Sequence, residues 1–295
     1  MTEPPSSRQS GIYRQIQRDA RRPDAEIFSF IFGENREWQG LAANTRELRE
    51  AAWRLVQEFY VRKGYMAPGG PGMRIIPQDA LPETTTYLAI QAATGQTAAT
   101  LTLVPDSPLG LPMDDLYRAD LDVLRASGRK PAEIAKLVAG LDDTDERLGM
   151  EMLLHLFKLA YLTARRLEGC TDLVITVNPR HQKYYRRLLR FEYVGETRRY
   201  ASVAGAEAVP LRLDLLTAEE TIRKRFTDHP SAQNLYRFFV ENPDIPDILA
   251  WLRKERTPMP PGDLRYFFRE KTDLLDRMSA SARIYLKGCY PDLKL

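Results

Sequence analysis

Few side chains in this sequence are arranged for covalent or metal chemistry, and most of what it offers is acid, base and charge. The imidazoles are His155, His181 and His229, none at helical spacing from another, and the thiols are Cys170 and Cys289, far apart and without a C-x-x-C spacing. Zinc needs clustered nitrogen and sulfur ligands, and a Cys–His nucleophile needs its pair, so both are disfavoured. Two unpaired thiols fit a reducing cytoplasm. In Ala132-Glu133-Ile134-Ala135-Lys136 an acid and a base stand three residues apart. On a strand, alternation puts Glu133 and Ala135 on one face and Ile134 and Lys136 on the other. A carboxylate there either handles the proton of a reacting group, directly or through water, or sits solvated beside Arg129 or Lys130. Arg180, Lys183, Arg187 and Arg190 recur at spacings of three, four and three, a basic stripe on a helix read over 180–190. Such a stripe is a solvated face or a docking surface for an acidic macromolecule.

The elements that must position these groups can be read along the chain. With 295 residues, 43% hydrophobic and 28% charged, it can hold one large α/β core with an appendage or two small domains. A net charge of +3 makes no demand for nucleic acid. Residues 1–24 read as a tail or loosely packed helix, and 26–32 as a short strand. No apolar run is long enough for a signal peptide or a membrane span, which implies a cytoplasmic protein, with peripheral membrane contact still open. Asn44-Thr45-Arg46-Glu47 reads as a capping box with Asn44 as the cap, opening a helix to about Arg62 with Leu48, Ala52, Leu55, Val56 and Phe59 on one face. A Pro- and Gly-rich loop follows.

Strands are expected at 87–91 and 97–104, joined by Ala93-Thr94-Gly95-Gln96, then a helix over 114–126 closed by Gly128. A short strand at 132–138, an apolar helix over 148–167, a strand at 173–177, the helix 180–190 and strands at 191–200 and 209–215 complete the series. This order implies an α/β (α+β) mixed sheet with helices on its faces over 25–215. Thr217-Ala218-Glu219-Glu220 reads as a second capping box, and 216–295 as a helical C-terminal extension broken at prolines.

Three segments carry a family likeness: TLTLVPDSPLGLPMDDLY (100–117), AEIAKLV (132–138) and NPRHQKYYRRLLRFEYVG (178–195). With the element order, they make residues of about 40–215 resemble the GNAT-like acyltransferases, in particular the FeeM-type N-acyl amino acid synthases, relatives of the LuxI-type autoinducer synthases. The resemblance implies an enzyme that moves an acyl group from an acyl carrier protein thioester, or from acyl-CoA, to an amine. The donor is a co-substrate, and no bound cofactor is expected. Its pantetheine arm would enter a gap between the parallel strands 132–138 and 171–177, pairing with main-chain groups that a splayed sheet leaves free.

The resemblance also implies roles. Glu133 matches the acidic position of the family's strand motif and would orient or deprotonate the amine. Lys136 stands where the lactone-synthase relatives have arginine, which removes a bidentate fork. Lys136, Leu137, Val138, Thr100, Leu101 and Phe157 would line the acyl-pantetheine path, with Leu103, Leu153, Leu154 and Tyr161 as further candidates for an apolar tunnel. Tyr185 either protonates the leaving thiolate or packs as an aromatic, and Arg190 takes the place of the glycine common in this superfamily. The turn 138–149 carries Asp142, Asp143, Asp145 and Glu146 where acetyl-CoA enzymes have a Gly-rich pyrophosphate loop. That favours a carrier-protein donor, for which Arg180, Lys183, Arg187 and Arg190 form the docking stripe. Loop 63–82 has Lys63 and Arg74 but only Asp79 as an acid. It therefore suits an acceptor with a carboxylate, such as an amino acid, with Arg54 and Arg74 as candidate clamps. The alternatives are an acetyl-CoA-dependent N-acetyltransferase and a non-catalytic acyl-carrier or lipid-binding module on the same fold.

Overall fold

The computed structural model describes residues 30–32, 37–139, 146–226 and 234–291. Helix α1 (Arg46–Arg62) starts one residue later than the capping pattern implies: Thr45, not Asn44, is the N-cap, its hydroxyl accepting from the Leu48 N–H. The Asn44 amide is turned away to donate to Glu255 at 2.7 Å. Burial of Ala52, Trp53, Leu55 and Val56 fixes one face of α1 on the sheet.

The strands are β1 (Phe30–Phe32), β2 (Trp38–Ala42), β3 (Thr85–Gln91), β4 (Thr97–Pro105), β5 (Pro131–Ala139), β6 (Asp172–Val177), β7 (Glu192–Tyr193), β8 (Arg198–Tyr200) and β9 (Ala206–Asp214). They are ordered β1-β2-β3-β4-β5-β6-β9-β7, with β8 also on β9. Among the described strands only β5 and β6 are paired in parallel. Their crossover is helix α3 (Glu146–Leu162), whose last turn widens into a π-helical segment at Thr163–Leu167. Helix α2 (Asp114–Ala126) has the limits the sequence implies.

The sheet is buried on both faces. One face presents Tyr87, Leu101, Leu103, Ile134, Leu173 and Ile175 to α3. The other presents Leu88 and Ile90 near α1, and Val104 and Val174 to α2. Residues after β9 complete both cores. Helices α5 (Ala218–Phe226), α6 (Leu235–Phe239) and α7 (Ile245–Glu255) pack on the α3 side. Met259, Leu264, Phe267, Phe268 and Leu286 pack on the α1 side. No helix among the described residues is long and apolar enough to cross a membrane.

Candidate active site

The parallel pair comes apart partway along. Pro131 to Ile134 pair with Asp172 to Ile175, and there the ladder stops, although β5 runs on to Ala139 and β6 to Val177. On the other side of β5 the register with β4 slips: Thr102 faces Ala135 but Thr100 faces Val138, so Leu101 stands opposite both Lys136 and Leu137. This is a β-bulge, and Lys136 sits in it with φ of +51°. The extra residue bends β5 away from β6 and leaves the gap-facing main chain of 135–139 without a ladder partner among the described residues. Thr176 adds a buried side-chain oxygen without a hydrogen-bond partner beside that gap.

The bulge overturns the simple alternation for Lys136. Ile134 packs with the α3 side, yet Lys136 points to the α1 side, the face shared by Glu133 and Ala135. A left-handed residue breaks the two-residue period of a strand. The ammonium of Lys136 lies 2.5 Å from Asp79 and 5.0 Å above the Trp53 ring, and its side chain is buried. It is therefore engaged in a buried ion pair, and its side chain is not free to line the gap. Burial lowers the Lys136 pKa and raises that of Asp79, each opposed by the partner's charge. Strain at a left-handed lysine costs on the order of 1–3 kcal/mol, so the conformation persists only where such contacts over-determine it.

Glu133 sits one turn of the pleat below the bulge, opposite Val104 on one side and Val174 on the other. It is 4% exposed and not paired with Arg129, which binds Asp172 and Asp214 instead. The expectation of a solvated strand-end carboxylate fails for that reason. Its Oε2 accepts from the Met113 N–H at 2.7 Å, at the N-terminus of α2. A helix N-terminus favours a carboxylate by about 0.3–1 kcal/mol at exposed sites. Desolvation is larger here, and Asp114 and Asp115 add like charge. The Glu133 carboxyl is pushed from 4.5 up to about 8.

The segment 105–115 builds the cradle for this hydrogen bond. Gly110 has φ of +71°, and a Cβ there would lie 2.5 Å from an Asp114 carboxylate oxygen. Asp114 accepts from the Leu111 N–H at 2.7 Å and is clamped by Arg125, which also holds Asp106. Tyr200 donates to the Pro112 carbonyl and Arg198 to that of Leu116. Met113 is thereby aimed at Glu133 by a turn fastened at both ends.

The remaining predicted residues fall into separate places. Arg74 lies half-buried with its guanidinium 5.8 Å from the Tyr60 ring centroid. The charges of Arg74 and of Glu133 both reach the Tyr60 hydroxyl, with opposite effects, but Arg74 does not offset the charge of Glu133 itself. Arg54 is tied to Glu50 at 3.3 Å, and Glu50 also accepts from Tyr266 in the C-terminal region. Thr100 and Leu101 lie buried on β4, one strand from the gap, with the Thr100 hydroxyl bonded to the Tyr87 carbonyl. Val138 packs against Leu55 and Val56 of α1, and Leu137 against the α3 side.

Tyr185 is buried against Phe157, Tyr184 and Phe191, and burial pushes its hydroxyl well above the ordinary value. Phe157 and Tyr161 line a narrow apolar cleft with Leu173, Leu189 and Phe191. Residues Ala218, Ile222, Phe239 and Val240 close its far wall.

The expected helix 180–190 is shorter than its charges suggest. A 3₁₀ turn at Pro179–His181 leads into α4 (Gln182–Arg187), and Arg190 lies beyond it with φ of +63°. Only Lys183 and Arg187 share a helical stripe, though Arg180 and Arg190 are exposed beside them. The superfamily's glycine position thus keeps a glycine-like conformation with an arginine in it. The acidic turn's Asp142, Asp143 and Asp145 lie outside the described residues, as do 1–24.

Sequence reasoning missed the contacts that fix the site: Asp79 on Lys136, Trp53 beneath it, and Met113 on Glu133. Asp79 stood out as the sole acid of its loop, which was the available signal.

Comparison with known proteins gives the family. Residues 51–214 match the family model for the N-acyl amino acid synthase FeeM. The structure of FeeM, an N-acyl amino acid synthase from uncultured soil microbes, aligns at 25% identity and a TM-score of 0.52. That alignment covers 62% of this chain and 93% of that one. The acyl-homoserine-lactone synthase LasI aligns at 16% identity and a TM-score of 0.46, over 61% of this chain and 92% of its own. An acyl-CoA N-acyltransferase from Pseudomonas aeruginosa gives 17% and 0.39, over 60% and 97%. Comparison with curated protein sequences returns no match.

Proposed function

The chain belongs to the FeeM N-acyl amino acid synthase family and is an N-acyltransferase, and from its site we propose that it moves a long-chain acyl group from an acyl carrier protein thioester to the amine of an amino acid. The observation that carries the chemistry is Glu133. It is a buried carboxyl with one backbone hydrogen bond, at the point where the only described parallel strand pair separates. Amide formation begins when the amine nitrogen attacks the thioester carbonyl carbon. The C–S bond then breaks, the pantetheine thiolate leaves, and the nitrogen must lose a proton. An ordinary carboxyl near 4.5 is a poor base for an amine; one near 8 is much better matched. Glu133 takes that proton. The proton then passes from Glu133, directly or through water, to the departing thiolate, while Tyr185, whose hydroxyl pKa burial pushes up, keeps its own proton and packs against Phe157 of the apolar cleft.

Main-chain N–H groups of 135–139, freed by the bulge, support the readings of pantetheine pairing and of an oxyanion donor. The apolar lining of the cleft beyond Phe157 supports the reading of an acyl tail, which would have to part the side chains there to enter. Exposed Arg180, Lys183 and Arg187 suit an acidic carrier. Arg74, beside the Tyr60 ring and without a carboxylate partner among the described residues, is the better of the two predicted acceptor clamps, since Arg54 is tied to Glu50. Residues 25–215 form the acyltransferase domain in this reading, and 216–295 an extension that walls the acyl cleft.

The test is transfer from acyl carrier protein and from CoA, with short and long acyl chains and a panel of amino acids, read by mass spectrometry. N-acyl amino acid formed fastest from a long-chain carrier thioester is the expected result. Product from acetyl-CoA alone would replace the reading with an acetyltransferase, and no product from any pair would leave a binding module.

A further inference from the structure

The two walls of the apolar cleft are built differently. Leu173 and Leu213 stand opposite each other on β6 and β9 and form its floor with Phe157 of α3. Main-chain ladders tie β6 to β5 and to β9, so this side cannot shift without breaking them. The facing wall is Ala218, Glu219 and Ile222 of α5, with Phe239 of α6 and Val240 just after it. All five follow residue 214, where the match to the family model ends. The floor thus belongs to the shared fold, and the far wall is this chain's own addition.

That wall is fastened lightly. The Tyr161 hydroxyl donates to Glu219 at 2.6 Å, and Arg166 donates to the same oxygen at 2.7 Å. The side chains of Arg166 and Glu219 are 45% and 32% exposed, so water screens the pair and it holds weakly. The other contacts are apolar: Phe239 meets Tyr161 edge-on at 5.8 Å, and Ala218, Ile222 and Phe226 form the buried face of α5. A tail that parts the lining therefore displaces α5 and α6 before it displaces the sheet. Leu173 lies about 13 Å down β6 from Val177, where the strand pair is open, so a short acyl group does not reach this wall.

We propose that Ile222, Phe239 and Val240 select the length of the acyl tail, through a wall that gives way to a long chain and stops a longer one. This rests on the reading that the cleft receives the tail of the donor.

The test compares butanoyl, dodecanoyl and hexadecanoyl thioesters, on acyl carrier protein and on CoA, in variants whose melting temperature is checked first. Ile222→Trp fills the wall and should lower the hexadecanoyl-to-butanoyl ratio of kcat/KM by about tenfold or more. Phe239→Ala opens it and should raise the hexadecanoyl-to-dodecanoyl ratio by about threefold. Isothermal titration of the full chain with hexadecanoate, without thioester or acceptor, reads the wall independently of transfer. Transfer by the wild type with both ratios unchanged in the folded variants would overturn the selector and leave the transfer reading standing. No transfer, but hexadecanoate binding that Ile222→Trp weakens about tenfold, would support the wall and overturn the transfer reading. Neither transfer nor binding would overturn both. Should Ile222→Trp not fold, Val240→Phe fills the same wall and carries the comparison.

Discussion

Glu133 and Asp79 are both buried carboxyls facing the α1 side of the sheet, and they have opposite surroundings. Asp79 is met by a buried ammonium at 2.5 Å and by the Ile76 N–H. Glu133 has one backbone N–H and two further carboxylates in its neighbourhood. Burial alone raises both, so the difference lies in what compensates the charge. Asp79 has a counter-ion that also holds the bulge residue in its left-handed conformation, so the pair maintains the shape of the gap. Glu133 is left able to exchange a proton near neutral pH. One carboxyl fixes the strand and the other works beside it.

The comparison can be broken first at Glu133 itself. Glu133→Gln keeps the shape and the Met113 hydrogen bond, and should lower kcat/KM for N-acyl transfer by about 10²–10⁴. It should not lower stability. Between pH 4.5 and about 8 the folded chain keeps a proton on Glu133 that the unfolded chain releases, so stability falls with rising pH across that window and levels off above it. Melting curves of the Gln variant should lack this contribution. A variant as sloped as the wild type would contradict the raised pKa.

Asp79→Asn should do the reverse. It strands a buried ammonium and should cost about 3–5 kcal/mol in denaturant unfolding. A stability change under about 1 kcal/mol would show that the pair does not brace the bulge. Gly110→Ala, which meets both a positive φ and a clash at 2.5 Å, should cost about 2–3 kcal/mol. By displacing Met113 it should also raise the apparent pKa seen in the rate profile. The smallest effect belongs to a region that touches neither carboxyl. Replacing Arg180, Lys183 and Arg187 by glutamate should raise KM for the carrier thioester about tenfold at low salt and less at high salt, with kcat unchanged.

The two carboxyls also show what the sequence could convey. Strand β5 and helix α2 were legible because their signals are local: apolar alternation, a proline-rich approach and a closing glycine. Glu133 was legible through its motif. The bulge was not, because its left-handed residue is a lysine rather than a glycine, and what holds it is an aspartate 57 positions away. Arg190 hid the end of its helix in the same way. Arg49 looks like any helical arginine in sequence, and only the fold shows it buried. Long-range compensation of charge leaves no periodic trace.

The central claim is that Glu133 accepts the proton of the attacking amine. The ratio of wild-type to Glu133→Gln kcat/KM, measured across pH 5.5–9.5 with saturating donor, tests it most directly, because the acceptor's own ionisation cancels in the ratio. The account predicts a ratio that climbs through an apparent pKa near 8 to a plateau of about 100 or more. A ratio that stays near one, or that does not change with pH, would contradict it.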